Sequence, residues 1–210
     1  MIMAFTGLAL SLFLLLHVAG NIIILLSHEK FNEYAFNLES MGVLLYIAEA
    51  GLIGIFIAHL VIAIKLSLEN KAARPQPYYL RASTGRSRRT WGSSHMLLTG
   101  IGIFIFIVYH LIQFKFAASP VVEQKGVAMR NLAFTVVHEF KETDELIIYI
   151  VALLLITLHI RHGLRSTFET LGIANTKFDP FFRWLSFIYV YGVMGAFMLI
   201  PLWIYFKVPA

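Results

Sequence analysis

"LIIYIVALLLITLHIRHGLRSTFETLG", residues 146 to 172, decides how this chain folds. Its first stretch, Leu146 to Ile160, carries no Asp, Glu, Lys or Arg, and Arg161 and Arg165 follow directly. Extended to about Arg165, the run reaches the roughly 20 residues that a helix needs to cross a bilayer. His159 lies inside it and His162 one helical turn further on. An imidazole in lipid costs free energy unless a partner satisfies it, so a membrane histidine carries a functional expectation.

Four other apolar runs accompany this one in the 210-residue chain, and together they predict helices near 4–26, 42–64, 92–114, 145–165 and 184–206. The composition agrees: 59% of residues are hydrophobic and 14% charged, against about 25% charged in soluble domains. The first run is too long for the apolar core of a signal peptide and has no basic residue before it. The expected fold is all-α: an integral membrane bundle of five transmembrane helices forming one domain over residues 1–210. There is no cysteine, so disulfides, zinc–thiolate sites and iron–sulfur ligation within this chain are excluded.

The net charge of +5 follows the membrane and does not point to nucleic acid. Residues 65–90 hold seven basic residues against Glu69 alone, and residues 161–183 hold four against two acids. Residues 27–41 and 115–145 lean acidic, with one basic residue against three acids and four against five. The positive-inside rule then places the second and fourth loops in the cytoplasm, with the N-terminus cytoplasmic and the C-terminus outside.

That topology turns histidine positions into depths. At 1.5 Å per residue, His17 and His110 lie about 20 and 21 Å from the cytoplasmic side, and His59 and His159 about 9 Å from it. The chain thus carries an outer pair, His17 and His110, and an inner pair, His59 and His159, separated by about 11 Å of depth. Two imidazoles at one depth on different helices are what bis-histidine ligation of a haem iron requires, and such iron has no open position, which favours electron transfer. The competing reading is that each histidine simply hydrogen-bonds a neighbouring helix; pairing by depth under an independently assigned topology favours ligation. Small residues near the histidines, Gly20, Ala58, Ala63 and Gly163, would allow close approach. Depth alone leaves His159 and His162 as alternatives. His28 and His138 fall in outer loops, and His95 at the inner mouth of the third helix.

At this point the residues resemble a known family. "MAFTGLALSLFLLLHVAGN" (3–21), "FNEYAFNLESMGVLLYIAE" (31–49), "SRRTWGSSHMLLTGIGIFIFIVYH" (87–110) and "LHIRHGLRSTFETLG" (158–172) resemble the di-haem cytochrome b anchor subunit of succinate:quinone oxidoreductases, in that family's order. The resemblance covers the first four helices and their loops. It implies a multi-pass subunit of the bacterial cytoplasmic membrane carrying two haems b. Its implied partners are an iron–sulfur subunit and an FAD flavoprotein on the cytoplasmic face, and its implied substrate is quinone, by family habit menaquinone. It places the ligands on His17 and His110 for the outer haem and on His59 and His159 for the inner one, choosing His159 over His162. Some quinol-oxidising relatives carry a glutamate two residues before the inner fourth-helix ligand; here that position is Thr157. Propionates need cationic or hydroxyl partners, and Arg86, Arg88, Arg89, Ser93, Ser94, His95, Arg161, His162 and Arg165 are the candidates, although ordinary positive-inside anchoring accounts for much of that cluster.

Glu49 is the one acid inside the apolar runs, seven residues past Gly42 and therefore in the outer layer. An acid there is costly unless paired or protonated. Quinone chemistry needs a proton-exchanging group beside an electron carrier, and Glu49 is the candidate; a carboxyl that only ties two helices together is the bland alternative. Two other functions compete: the di-haem anchor of a formate dehydrogenase or hydrogenase, and a haem-free transporter or scaffold, which would need polar residues along a midplane path.

Overall fold

The structure is a computed structural model describing residues 1–73, 95–174 and 177–209. Five helices are long and apolar enough to cross a membrane. These are α1 (Ile2–Asn21), continued by a 3-10 turn over Ile22–Leu25; α3 (Val43–Ala72); α4 (Met96–His110), continued by a π-turn over Leu111–Phe116; α6 (Thr143–Thr170); and α7 (Asp179–Lys207). The expected five-span all-α architecture is therefore present.

Element ends differ from the sequence expectation in a consistent way. α3 and α6 continue past Lys65 and Arg165 to Ala72 and Thr170, and α7 starts at Asp179 instead of near 184. Charged residues had been taken as helix ends, but a charge stops a membrane span without stopping a helix. Lys65–Glu69 (3.8 Å) and Arg165–Glu169 (3.0 Å) are i,i+4 ion pairs that support the extra turns. Glu49 is consequently not the only acid on a spanning helix; Glu69, Asp144, Glu145, Glu169 and Asp179 also lie on these helices, towards their ends.

Packing places one of the paired histidines on each of four helices. α3 packs on α1, α1 on α6, α6 on α4, and α4 touches α3, while α7 lies against α6 and α1. The core of this bundle is Val18 of α1, Leu153, Ile156, Ile160 and Leu164 of α6, and Val190, Val193 and Met194 of α7. None of α3's side chains is buried, so this helix presents apolar surface to lipid on one side and the histidine site on the other. Pro201 lies inside α7; it cannot donate to the preceding turn, a defect that membrane helices tolerate when neighbours cover it.

Two segments read from sequence only as acidic loops are structured. Helix α2 (His28–Glu39) is capped by Ser27, whose side chain accepts from the Lys30 amide, and α5 (Leu132–Lys141) by Asn131, which accepts from the Phe134 amide. Between them, β1 (Val121–Gln124) and β2 (Val127–Arg130) form an antiparallel hairpin closed by Lys125 and Gly126, both at positive φ, which suits a two-residue turn. Buried Asn32 ties the two capped helices together: its amide donates to Asn131 Oδ1 (2.9 Å) and its carbonyl accepts from the Ala133 amide (2.8 Å). The hairpin is held by the Lys125–Glu33 ion pair and by Arg130, which donates to the Phe114 and Ala117 carbonyls.

Gly20 lets α2 fold back against α1. A Cβ there would stand 2.4 Å from the Tyr34 hydroxyl and 2.6–2.7 Å from its ring carbons, so the tyrosine would have to leave. Gly20→Val should cost about 1–3 kcal/mol through overpacking, read as a lowered Tm of the purified protein.

Candidate functional site

The four paired histidines come together in two places. His17 and His110 rings lie 5.9 Å apart between centres, at 89°; His59 and His159 lie 6.4 Å apart, at 65°. For two imidazoles on opposite sides of one metal ion, a bond of about 2 Å plus about 1.1 Å from nitrogen to ring centre on each side gives roughly 6 Å. Both pairs have that spacing. Among the described residues no three His, Asp or Glu side chains converge to hold a bare metal ion, so a metal at either pair would need its other ligands from elsewhere, as haem iron takes them from its macrocycle.

A threonine hydroxyl stands against each ring of the inner pair. Thr6 Oγ1 lies 3.0 Å from His59 Nδ1, and Thr99 Oγ1 lies 3.0 Å from His159 Nδ1. Each threonine hydroxyl donates to backbone carbonyls of its own helix, Ile2 and Met3 for Thr6 (3.0 and 3.2 Å), His95 and Met96 for Thr99 (both 3.1 Å). When each hydroxyl keeps its proton on those carbonyls, its oxygen accepts, Nδ1 of each histidine donates and Nε2 keeps its lone pair. That is the tautomer a metal ligand needs.

Glycines lie against both rings at ordinary van der Waals distance. A Cβ on Gly7 would stand 3.4 Å from His59 Cε1, and one on Gly100 3.5 Å from His159 Cε1. Sequence reading had singled out Gly20 and Gly163 instead; Gly20 packs against Tyr34 and Gly163 faces Met96. The glycines that matter lie on partner helices opposite the histidines, which proximity in sequence does not reveal.

The outer pair has a different surround. Phe13 stacks on His17 at 5.2 Å, Phe197 approaches it at 5.7 Å, and Phe106 and Phe114 flank His110 at 5.9 and 5.4 Å. His110 Nδ1 meets the Tyr149 hydroxyl at 3.1 Å. The Asn21 amide bonds the His17 carbonyl (2.8 Å) and lies loosely over the ring, 3.3 and 3.5 Å from its nitrogens, so it fixes no tautomer.

Spacing along the helices revises the distance between the pairs. Thr6, beside His59, and His17 are eleven residues apart on α1, as are Thr99, beside His159, and His110 on α4, which is about 16 Å of rise. The sequence reading gave about 11 Å because it took Lys65 and Arg165 as level with the starts of α1 and α4. The inner pair instead lies level with those starts, while α3 and α6 run on from His59 and His159 by thirteen and eleven residues. Phe56 and Phe104 stack at 6.1 Å in the interval.

The remaining candidates are distributed as follows. His162 is half-buried on α6, but His159, not His162, faces His59. Arg165 is engaged by Glu169 and Arg161 is exposed. His95 stands at the N-terminus of α4, its carbonyl accepting from Thr99. Arg86, Arg88, Arg89, Ser93 and Ser94 lie outside the described residues. Thr157 folds its hydroxyl back onto the Leu153 carbonyl (2.7 Å). Glu49 forms an ion pair with Lys115, each side chain about a third exposed (33% and 38%). Lys115, expected in a loop, belongs to the π-turn five residues beyond His110, and Glu49, ten residues from His59 on α3, is level with the outer pair.

Sequence reading missed a polar cluster beside the outer pair. Tyr109 donates to Glu145 Oε1, and the other carboxylate oxygen of Glu145 is buried without a protein partner. The Tyr149 hydroxyl donates to Gln113 Oε1 (2.7 Å), and Gln113 Nε2 donates to Glu139 Oε2 (2.7 Å). No short motif marks these residues; they meet because the π-turn, a feature frequent at functional sites, brings Gln113 towards α6.

Comparison with protein-family models, with curated proteins and with solved structures finds no match for this chain.

His162→Ala should leave any haem at the inner pair in place, since His162 does not face His59. Loss of the inner component in that variant, with retention in His159→Ala, would reverse the ligand assignment; difference absorbance spectra of the two variants decide it.

Proposed function

We propose that the chain is the di-haem membrane anchor of a succinate:quinone oxidoreductase, of the succinate dehydrogenase and fumarate reductase type. The observation that carries the haem part is the pair of opposed imidazoles at each of two depths, with the inner Nδ1 positions donating to threonines so that Nε2 is bare. His59 and His159 would hold one haem b and His17 and His110 the other. When bound, the two haems supply one-electron transfer through the thickness of the membrane. The chain's residues would hydrogen-bond Nδ1 of His59, His159 and His110 and wall the outer pair with Phe13, Phe106, Phe114 and Phe197.

The partner assignment rests on the sequence resemblance and on charge. With residues 65–90 and 161–183 in the cytoplasm, their basic side chains and the overhanging ends of α3 and α6 offer a docking face for an iron–sulfur subunit that bridges to an FAD flavoprotein. The inner pair is then nearer the electron donor and the outer pair nearer quinone, with menaquinone the expected type. Glu49, level with the outer pair and ion-paired to Lys115, is the proposed site of quinol proton exchange.

The test has two stages. A reduced-minus-oxidised spectrum of the purified chain should show b-type bands; their absence ends the cytochrome reading and favours the scaffold. Purification from native membranes should bring down a flavoprotein and an iron–sulfur protein with succinate-dependent quinone reduction. Formate or hydrogen oxidation in that preparation would instead identify the other kind of di-haem anchor.

A further inference from the structure

The two histidine pairs are held by hydrogen bonds of different kinds, and the difference has an electrical consequence. At the inner pair each Nδ1–H ends on a threonine whose own proton goes to neutral backbone carbonyls. At the outer pair the chain of bonds runs on. His110 Nδ1 meets the Tyr149 hydroxyl (3.1 Å), that hydroxyl donates to Gln113 Oε1 (2.7 Å), and Gln113 Nε2 donates to Glu139 Oε2 (2.7 Å).

A carboxylate can only accept, so the far end fixes the direction of every bond. Glu139 takes the amide proton, which leaves the Gln113 carbonyl to take the tyrosine proton. The tyrosine oxygen is then left to accept from His110 Nδ1–H, which leaves the lone pair of His110 on Nε2. Tyr149 is well buried (5% exposed) and packed edge-on by Phe106, Phe114 and Phe140 at 5.0, 5.9 and 4.8 Å, so its hydroxyl has little freedom to point elsewhere. Bonds in such a chain polarise one another, more so away from water, and an anion at the end makes the first imidazole a more basic ligand.

We propose that Tyr149, Gln113 and Glu139 are positioning residues that tune the outer site alone: they lock the ligating tautomer of His110 and carry the negative charge of Glu139 to it through bonds. The inference rests on the haem reading above. A more basic His110 would favour the oxidised form of a haem held there, so the intact relay would hold the outer potential below its value without the relay. Among the described residues, the inner site ends on neutral carbonyls. The device lets the protein set the outer step, next to quinone, independently of the inner one.

The experiment is a redox titration, followed by absorbance, of the complete membrane protein and of three variants. Tyr149→Phe keeps the ring packing and removes the acceptor. Gln113→Met breaks the chain without changing charge. Glu139→Gln keeps a hydrogen-bonding side chain and removes the charge. Each variant should retain both haems and raise the potential of the outer component while the inner one stays in place. A shift in Glu139→Gln with none in Gln113→Met would mean a charge acting through space and would overturn the relay, as would an unmoved outer potential in all three variants. A wild-type protein without two b-type components would remove the haem reading, and this inference with it.

Discussion

If the chain holds two haems as proposed, His17→Ala and His110→Ala should each delete the same one of two b-type components, and His59→Ala and His159→Ala the other. Each substitution should remove half of the haem, because a single remaining imidazole cannot keep six-coordinate low-spin iron. The expectation is strong because the pairing is geometric: the rings of each pair lie 5.9 and 6.4 Å apart, and the two pairs are separated by about 16 Å of helical rise. Loss of a tightly bound cofactor should also lower Tm, since whatever binds only the folded state stabilises it. Difference spectra and a redox titration of the four variants provide the check. If His17→Ala and His59→Ala removed the same component, the pairing across the bundle would be wrong.

Much of this architecture was legible because lipid imposes a simple rule. A backbone crossing a bilayer must satisfy its own hydrogen bonds, so long apolar runs became helices, and helical rise turned residue numbers into depth. His17 with His110 and His59 with His159 were readable as neighbours on that basis. What depth could not supply was direction around the helix axis. Thr6, Thr99, Gly7 and Gly100 act on histidines of other helices, and nothing in their own segments says so. The hairpin and α5 were missed for a different reason: residues 115–145 were read for charge balance alone, which obscured the Lys125–Gly126 turn and the Asn131 cap. The π-turn after His110 has no sequence signature, yet it places both Gln113 and Lys115. Helix ends were displaced because Lys65 and Arg165 mark where apolar character stops, whereas Glu69 and Glu169 allow each helix to continue by pairing with them.

Glu49→Gln should lower quinone-linked turnover by about a hundredfold or more, the usual scale for losing a general acid or base, while leaving both haems in place. Magnitudes separate this role from a purely structural one. Glu49 and Lys115 form one ion pair between α3 and the π-turn, and losing a single such tie costs stability without touching the chemistry. A carboxyl that only ties α3 to the π-turn would therefore show a small loss of stability and near-normal turnover. A carboxyl that exchanges the quinol proton would show nearly unchanged stability and a large loss of turnover. The amide keeps the shape and most of the hydrogen bonding, so the comparison isolates the titrating proton. On the proposed function, succinate oxidation measured with an artificial acceptor at the soluble subunits should be unaffected, because those electrons would not pass Glu49. Normal quinone turnover in Glu49→Gln would leave Glu49 as the structural partner of Lys115. Proton exchange would then have to use another carboxyl of the outer layer, and Glu145, with one oxygen held by Tyr109 and the other buried without a protein partner, is the group to substitute next.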